Sequence, residues 1–445
     1  MREEIWTEKI FKDDAGYFLR ITYVKSVLFL FKMSYICRRG MPCDSRIDVY
    51  QLYLKPMSVQ IKKAESKADL KKFAEYPNKL YKGNPYYVPT LVADDCKVFD
   101  RKSNAAFDFA EADFFLAYKD GRLVGRVAAI LNPKANETWS QKRVRFGWID
   151  FEDDEEVSAA LLGTVEKWGL ERGMTEIEGP LGFTDFDTEG MLVEGFDELG
   201  TFITFYNHPY YKEHLERHGY AKKIDWIERR IPMPDGLDGK YRRFTDIVAE
   251  RNGLRCVRYS RKEIRRKDIG RKLFDLVNRT YCVLYGYSAL SGRQIDQYVE
   301  QYLSLLNLDF VSFIVDSDEN LIAFGVMCPS LSRAFQKAGG RYFPFGWWHM
   351  LRSLVFCKTD TIDMLLIAVD PAYQSKGVPA MLIADLFDRI AAAGFKYLET
   401  NPELETNLAV QNLWSGFSPR QHRRRRIYGK ELPRRPLPVR TVGVQ

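Results

Sequence analysis

Ile367-Ala368-Val369-Asp370-Pro371-Ala372-Tyr373-Gln374-Ser375-Lys376-Gly377-Val378-Pro379 is the stretch whose reading decides the fold. An apolar run ends at Val369, a polar turn follows, and residues 380–393 carry the apolar spacing of a helix. A helix that opens directly from a turn leaves its first N–H groups unpartnered and points the positive end of its dipole at that turn. Such a turn is a ready seat for a pyrophosphate. Gly377 has no side chain to hold an anion at a distance. Pro379 removes one donor from the seat, at a first-turn position where proline is otherwise well tolerated.

Outward from this turn, the chain reads as alternating strands and helices from residue 57 onward. In the first half, strands are expected at 59–63, 114–118, 123–130, 145–151, 176–180 and 224–231, with helices at 67–81 and 154–172. Asp120-Gly121 between two β-rich runs predicts a hairpin. The second half repeats the plan. Helices at 267–285 and 293–306 precede a hairpin of 310–315 with 321–328, a buried strand at 364–369, the helix after the quoted turn, a strand at 397–400 and a helix at 409–414. The pattern predicts an α/β fold (α+β, with a mixed sheet) in two halves, 57–235 and 240–435, and a tail at 436–445. The point in the first half equivalent to the turn is Phe151-Glu152-Asp153-Asp154-Glu155-Glu156, a run of acids that would repel a pyrophosphate.

An apolar content of 46% with 29% charged residues excludes a disordered chain and a membrane bundle. The cysteines contain no C-x-x-C pair and the five histidines no H-x-x-x-H spacing, which predicts a reducing cytoplasm and no metal. The apolar stretch 18–37 is broken by Arg20, Lys25 and Lys32, and a spanning helix needs about 20 apolar residues. Residues 1–56 fit no later pattern, whereas Met57 opens a clean strand. The expectation is that 1–56 is a non-native or accessory extension. Residues 339–351, rich in Trp, Phe and Tyr, read as an acyl-chain channel, a membrane-contacting lip or interior packing. The basic run Arg420 to Arg426, with Lys430, Arg434, Arg435 and Arg440, is expected to bind phosphates, those of lipid head groups or of coenzyme A ahead of nucleic acid, because no nucleic-acid motif accompanies it; a merely solvated basic face is the alternative. His208, in the cluster Tyr206-Asn207-His208-Pro209-Tyr210-Tyr211, is a candidate general base.

Gln374 and Gly377 fit the pattern Q/R-x-x-G-x-G/A, and the turn resembles motif A of the GNAT acyltransferase superfamily, with Pro379 in place of the usual small residue. Longer stretches resemble the bacterial ceramide synthase-like family, which includes YghO-type proteins. These are residues 81–89, Gly190-Met191-Leu192-Val193-Glu194-Gly195-Phe196, residues 206–211, Glu399-Thr400-Asn401-Pro402-Glu403-Leu404-Glu405-Thr406-Asn407 and residues 420–425. The resemblance spans about 59–432. It implies two tandem GNAT-like domains, the first degenerate. It implies an N-acyltransferase that moves an acyl group from acyl-coenzyme A to an amine, a long-chain sphingoid base above all. It places acyl-coenzyme A on Ile367, Ala368, Val369, Gln374, Ser375, Lys376, Gly377, Val378 and Asn407, with the strand backbone taking the pantetheine like an added strand. Glu399 and Glu405 join His208 as candidates for accepting the amine proton. Trp414 stands where many members of the superfamily carry a tyrosine that protonates the leaving thiolate. A short-chain acetyltransferase acting on a small amine and a non-catalytic acyl- or lipid-binding protein are the alternatives. The expected setting is cytoplasmic, with peripheral contact to the anionic inner membrane face, and without nucleic acid.

Overall fold

The computed structural model describes residues 6–12, 18–24, 32–36, 59–234, 236–303 and 306–433. Strands β1 (Trp6–Lys12), β2 (Phe18–Val24) and β3 (Lys32–Ile36) pair as an antiparallel meander in a unit, residues 1–58, distinct from the rest. No helix among the described residues is long and apolar enough to cross a membrane. Arg434, Arg435, Arg440 and the tail at 436–445 lie outside the described residues.

From Val59 the strands run β4 (Val59–Lys63), β5 (Glu111–Lys119), β6 (Arg122–Leu131), β7 (Arg143–Phe151), β8 (Glu176–Gly179), β9 (Met191–Glu194), β10 (Ala221–Pro232), β11 (Arg255–Val257), β12 (Val311–Val315), β13 (Leu321–Pro329), β14 (Thr361–Val369), β15 (Tyr397–Glu399), β16 (Glu403–Leu404) and β17 (Arg420–Glu431). They form one 14-stranded mixed sheet. Each half lays down an antiparallel meander, β4 to β7 or β11 to β14. It then crosses through a helix to a parallel strand, β8 or β15. The β5–β6 hairpin closes on Asp120 and Gly121, both at positive φ, as two-residue hairpins require. The crossover helix Glu155–Glu171 starts at Asp154, whose carboxylate accepts from the N–H groups of Glu156 and Val157. Its Val157, Leu161, Leu162, Val165 and Trp168 are buried in the first core. The crossover helix Val378–Ala392 buries Leu382, Ile383, Leu386 and Ile390 in the second half.

The halves exchange their last strands. β10 closes the first half in sequence but pairs with β15 of the second, and β17 closes the second half but pairs with β8 of the first. β10 and β17 pair with each other between them. The helix Gly239–Asn252, which the sequence pattern did not bring out, follows β10 and packs on Val378–Ala392.

This exchange overturns the phosphate-binding expectation for Arg420–Arg426. The run is an internal strand whose charges are already matched. Arg423 and Arg425 are buried, and each donates through Nε to Glu228, at 2.6 and 2.5 Å. Arg424 and Arg426 pair with Asp225 at 3.2 and 2.8 Å, and Arg420 with Glu198 at 2.7 Å. Acids on β10 and its neighbours neutralise the basic run, so no free cationic face remains there.

Candidate functional site

β14 and β15 run parallel for three residues, pairing Thr361 with Tyr397, Ile362 with Leu398 and Asp363 with Glu399, and then part. β14 continues to Val369 with β13 on one side and a gap on the other. Leu365, Leu366 and Ile367 are partly exposed in a strand otherwise buried. The Leu365 carbonyl accepts from the Asn401 amide at 2.6 Å and the Ile367 carbonyl from the Tyr281 hydroxyl at 3.0 Å. Two main-chain acceptors in the gap are therefore held by side chains rather than by a strand.

The first half has the same parallel pair but no gap. Past Arg145 and Glu178 the chain folds back, and the Leu181 N–H donates to the Phe146 carbonyl at 2.9 Å. Gly147 and Gly179 permit this approach. A Cβ on Gly147 would collide with the Leu181 carbonyl, and one on Gly179 with that of Phe146. The Asp154 carboxylate already occupies the start of the following helix.

In the second half the turn after β14 is a 3₁₀ segment, Pro371–Lys376, ending on Gly377 at φ 80°. No side chain caps the helix Val378–Ala392. Gln374, Ser375 and Lys376 are exposed, and Val378 is buried. The Gln374 amide folds back to donate to the Val369 carbonyl at 3.1 Å, and the Lys376 ammonium lies 4.3 Å from the centre of the Tyr373 ring. One flank of the turn is walled. A Cβ on Gly377 would stand 2.9 Å from the Phe244 ring and 3.0 Å from Val248. Along the same helix runs a groove of ≈ 550 Å³, lined by Leu237, Tyr241, Ala380, Ile383, Leu413 and Phe417. An uncapped helix start, a strand whose gap-side acceptors are held only by side chains and an adjoining groove suit a ligand with an anionic end and a thin extended arm.

The proton-accepting candidates fall into three separate networks. Glu399 stands where the strands part, buried, accepting from Arg423 at 3.0 Å. Glu405 accepts from Lys222 at 2.9 Å and from the Asp225 N–H at 3.2 Å. His208 belongs to the first half, its ring 4.9 Å from that of Tyr81 and 5.3 Å from that of Tyr210, and burial lowers its pKa. Asn407 caps the helix Leu408–Asn412 through the Val410 N–H. Trp414 is fully buried and donates to Glu403 at 2.6 Å. Ala368 is buried on β14 against Phe324 of β13.

The fold adds two acidic features that sequence spacing did not reveal. Asp363, opposite Glu399, is buried with neither oxygen in a well-formed hydrogen bond. Burial, reinforced by the Glu399 charge, raises its pKa well above the carboxylate range. The second feature is a first-half loop carrying Asp185, Asp187 and Glu189. It docks on the second half through Phe186, whose ring centre is 5.1 Å from that of Tyr298. One oxygen of Asp185 is sealed and unpartnered, while the residue keeps partial solvent access. Burial, with the Asp187 charge adding to it and Arg145 opposing, pushes Asp185 up to about 7. Burial likewise brings Asp187 to about 6 and, with the Asp185 charge, raises Glu189 well above its ordinary value. Burial raises the pKa of Tyr281, whose hydroxyl sits in the gap, the hydrogen bond to Ile367 opposes this, and the Asp185 charge adds to the rise. The one sequence signal was the alternation Asp185-Phe186-Asp187-Thr188-Glu189 between Gly182 and Gly190. Among the described residues, no group of three or more His, Cys, Asp or Glu is arranged to hold a metal ion.

No family model matches the chain. It is 28% identical over 374 residues to the protein YghO of Escherichia coli strain K12, covering 82% of this chain and 94% of that one. It is 24% identical over 374 residues to a bacterial ceramide synthase of Caulobacter vibrioides, covering 82% and 95%. Among solved structures, it matches a tandem GNAT protein from the clavulanic acid biosynthesis pathway with a TM-score of 0.50 at 10% identity, covering 85% of this chain and 100% of that one. The fold is thus that of two tandem GNAT-like domains sharing one mixed sheet.

Proposed function

We propose that this protein is an N-acyltransferase that moves an acyl group from acyl-coenzyme A to the amine of a long-chain base. The observation that carries this is the gap between β14 and β15, open at Leu365–Ile367 beside an uncapped helix that begins on a glycine. The tandem GNAT fold and the similarity to a protein named ceramide synthase support the same reaction class.

The pyrophosphate lies at Ser375, Lys376, Gly377 and Val378, and the rest of the nucleotide extends along the groove by Ala380 and Ile383. The pantetheine arm enters the gap and takes over the Leu365 and Ile367 carbonyls from Asn401 and Tyr281. The neutral amine attacks the thioester carbon, forming the C–N bond. The tetrahedral oxyanion then collapses, the C–S bond breaks and the thiolate departs. Asp185 accepts the ammonium proton, because a carboxylate held near neutrality is matched to that task. Trp414 cannot supply a proton to the thiolate, since an indole N–H is far too weak an acid, and here it is committed to Glu403. That commitment also favours the second reading, a protein that binds acyl thioesters without turnover.

The test is coenzyme A release with a long-chain base, with a short polar amine and with no amine, alongside thermal shifts with acyl thioesters of graded length. Release with the long-chain base alone supports the proposal. Release with the polar amine moves the assignment to a short-chain acetyltransferase. A thermal shift without release supports the binding protein.

A further inference from the structure

Eleven large apolar side chains are strongly exposed among the described residues, and seven of them lie within Phe343–Phe356. They include Phe343 at 78%, Phe345 at 67%, Val355 at 60% and Phe356 at 54%, with Trp347 and Trp348 above 40%. Trp347, Leu351 and Val355 recur at helical spacing along and just past the helix Gly346–Leu354. Trp348 packs edge-on against Trp347, with ring centres 5.9 Å apart, and lies 6.4 Å from Phe356. The Trp347 indole N–H donates to the Pro344 carbonyl at 3.0 Å, so this ring could enter an apolar medium without stranding its donor.

The platform is anchored. Gln336, in the preceding helix Ser332–Ala338, donates to the Pro85 and Tyr87 carbonyls at 2.8 and 3.0 Å, and the Tyr342 hydroxyl bonds Asp94. The platform's own segment carries charge of one sign. From Leu321 to Thr359 the chain carries Arg333, Lys337, Arg341, Arg352 and Lys358 and no acid. Lys337, Arg341, Arg352 and Lys358 are exposed and, among the described residues, in no ion pair. The contrast with Arg420–Arg426, where every charge is matched, is sharp.

We propose that the Phe343–Phe356 surface docks on an anionic lipid bilayer, with Trp347, Trp348, Phe343 and Phe345 seated at the headgroup level and the four unpaired bases contacting acidic lipids. Exposed indole and phenyl rings flanked by unmatched Lys and Arg are the side-chain chemistry of such an interface. A membrane supplies the matching charge as a continuous field rather than at fixed points. The inference goes beyond the acyltransferase assignment and does not depend on it, although an amphiphilic acceptor would be met at the same surface.

The test uses the full chain and sedimentation with vesicles of phosphatidylcholine alone or mixed equally with phosphatidylglycerol. The wild type is expected to bind the mixed vesicles at least tenfold more tightly, with a blue shift of tryptophan emission. The double variant Trp347→Ser, Trp348→Ser should weaken binding at least tenfold, and Arg341→Glu with Arg352→Glu should abolish the preference for the acidic lipid. Both variants should keep the wild-type unfolding temperature and the wild-type response to acyl thioesters, which separates this surface from the acyl-donor site. Absence of binding to mixed vesicles overturns the proposal, as does binding that both variants retain. Concentration-dependent dimerisation that the Trp variant abolishes also overturns it, by assigning the face to a second copy of the chain.

Discussion

Glu228→Gln tests the strand exchange and, with it, the meaning of the arginine run. Glu228 is fully buried and receives Nε donors from Arg423 and Arg425. Burial opposes its ionisation, yet the two guanidiniums outweigh that and bring the carboxyl from 4.5 down to about 2. That difference corresponds to about 3 kcal/mol of stabilisation at neutral pH. Glutamine keeps the shape but leaves two buried guanidiniums facing one remaining carboxylate, Glu399. Breaking a buried pair in this way costs about 3–5 kcal/mol, against a total stability of about 5–15 kcal/mol. Chemical denaturation at pH 7 should therefore show Glu228→Gln less stable by at least 3 kcal/mol (about the lower bound of that range). The sign with pH is fixed. The folded pKa is depressed, so the contribution is complete above about 4.5 and fades as pH falls towards about 2. The variant's stability should depend less on pH across that window. A loss below about 1 kcal/mol, the size of a surface ion pair, would refute a structural role for the run and restore it as a binding surface.

Gly377→Val places a side chain at φ 80° against Phe244 and Val248, so a stability loss of about 1–2 kcal/mol is expected. The KM for acyl-coenzyme A should rise about tenfold, or 1.4 kcal/mol, and an unchanged KM in steady-state assays would remove the pyrophosphate seat. Asp185→Asn should lower the rate of coenzyme A release about 100-fold or more and abolish its pH dependence near 7. Because the Asp185 pKa is raised, its favourable contribution is complete below its ordinary 3.8 and lost as pH rises through about 7, so the variant should gain stability relative to wild type above pH 7 in thermal melts. Trp414→Phe strands the Glu403 oxygen and should cost about 1–3 kcal/mol in denaturation with turnover per folded molecule unchanged. A selective loss of turnover would give Trp414 a chemical role instead.

Much of the fold was legible because its signals are local. The Asp120-Gly121 turn, the apolar β13, the apolar end of β14 at Met364–Val369 and the glycine-started helix at Val378 each depend on a few neighbouring residues. The repeat of meander, crossover helix and parallel strand could therefore be read in both halves. The helix Gly239–Asn252 was missed because its burial is slight, with only Thr245 and Val248 enclosed, so it leaves little apolar periodicity. The aromatic run at 339–351 left open a choice between packing and exposure, which depends on what lies opposite it. The acidic loop at Asp185 lies far in sequence from β14, and no spacing rule joins them.

The sequence by itself determined the class of fold, the two-part plan and the position of the turn near Gly377, since strand alternation, helix periodicity and turn chemistry act over a few residues. Only the tertiary structure decided which charges are spent and which are free. Arg423 and Arg425 are neutralised by an acid some 195 residues away, whereas Arg341 and Arg352 pair with none among the described residues. Only it decided, too, that the gap persists in the second half and is closed in the first. The physical reason is the same in both cases: charge neutralisation and backbone closure depend on distance in space, and the exchanged strands β10 and β17 bring together groups that the chain order keeps apart.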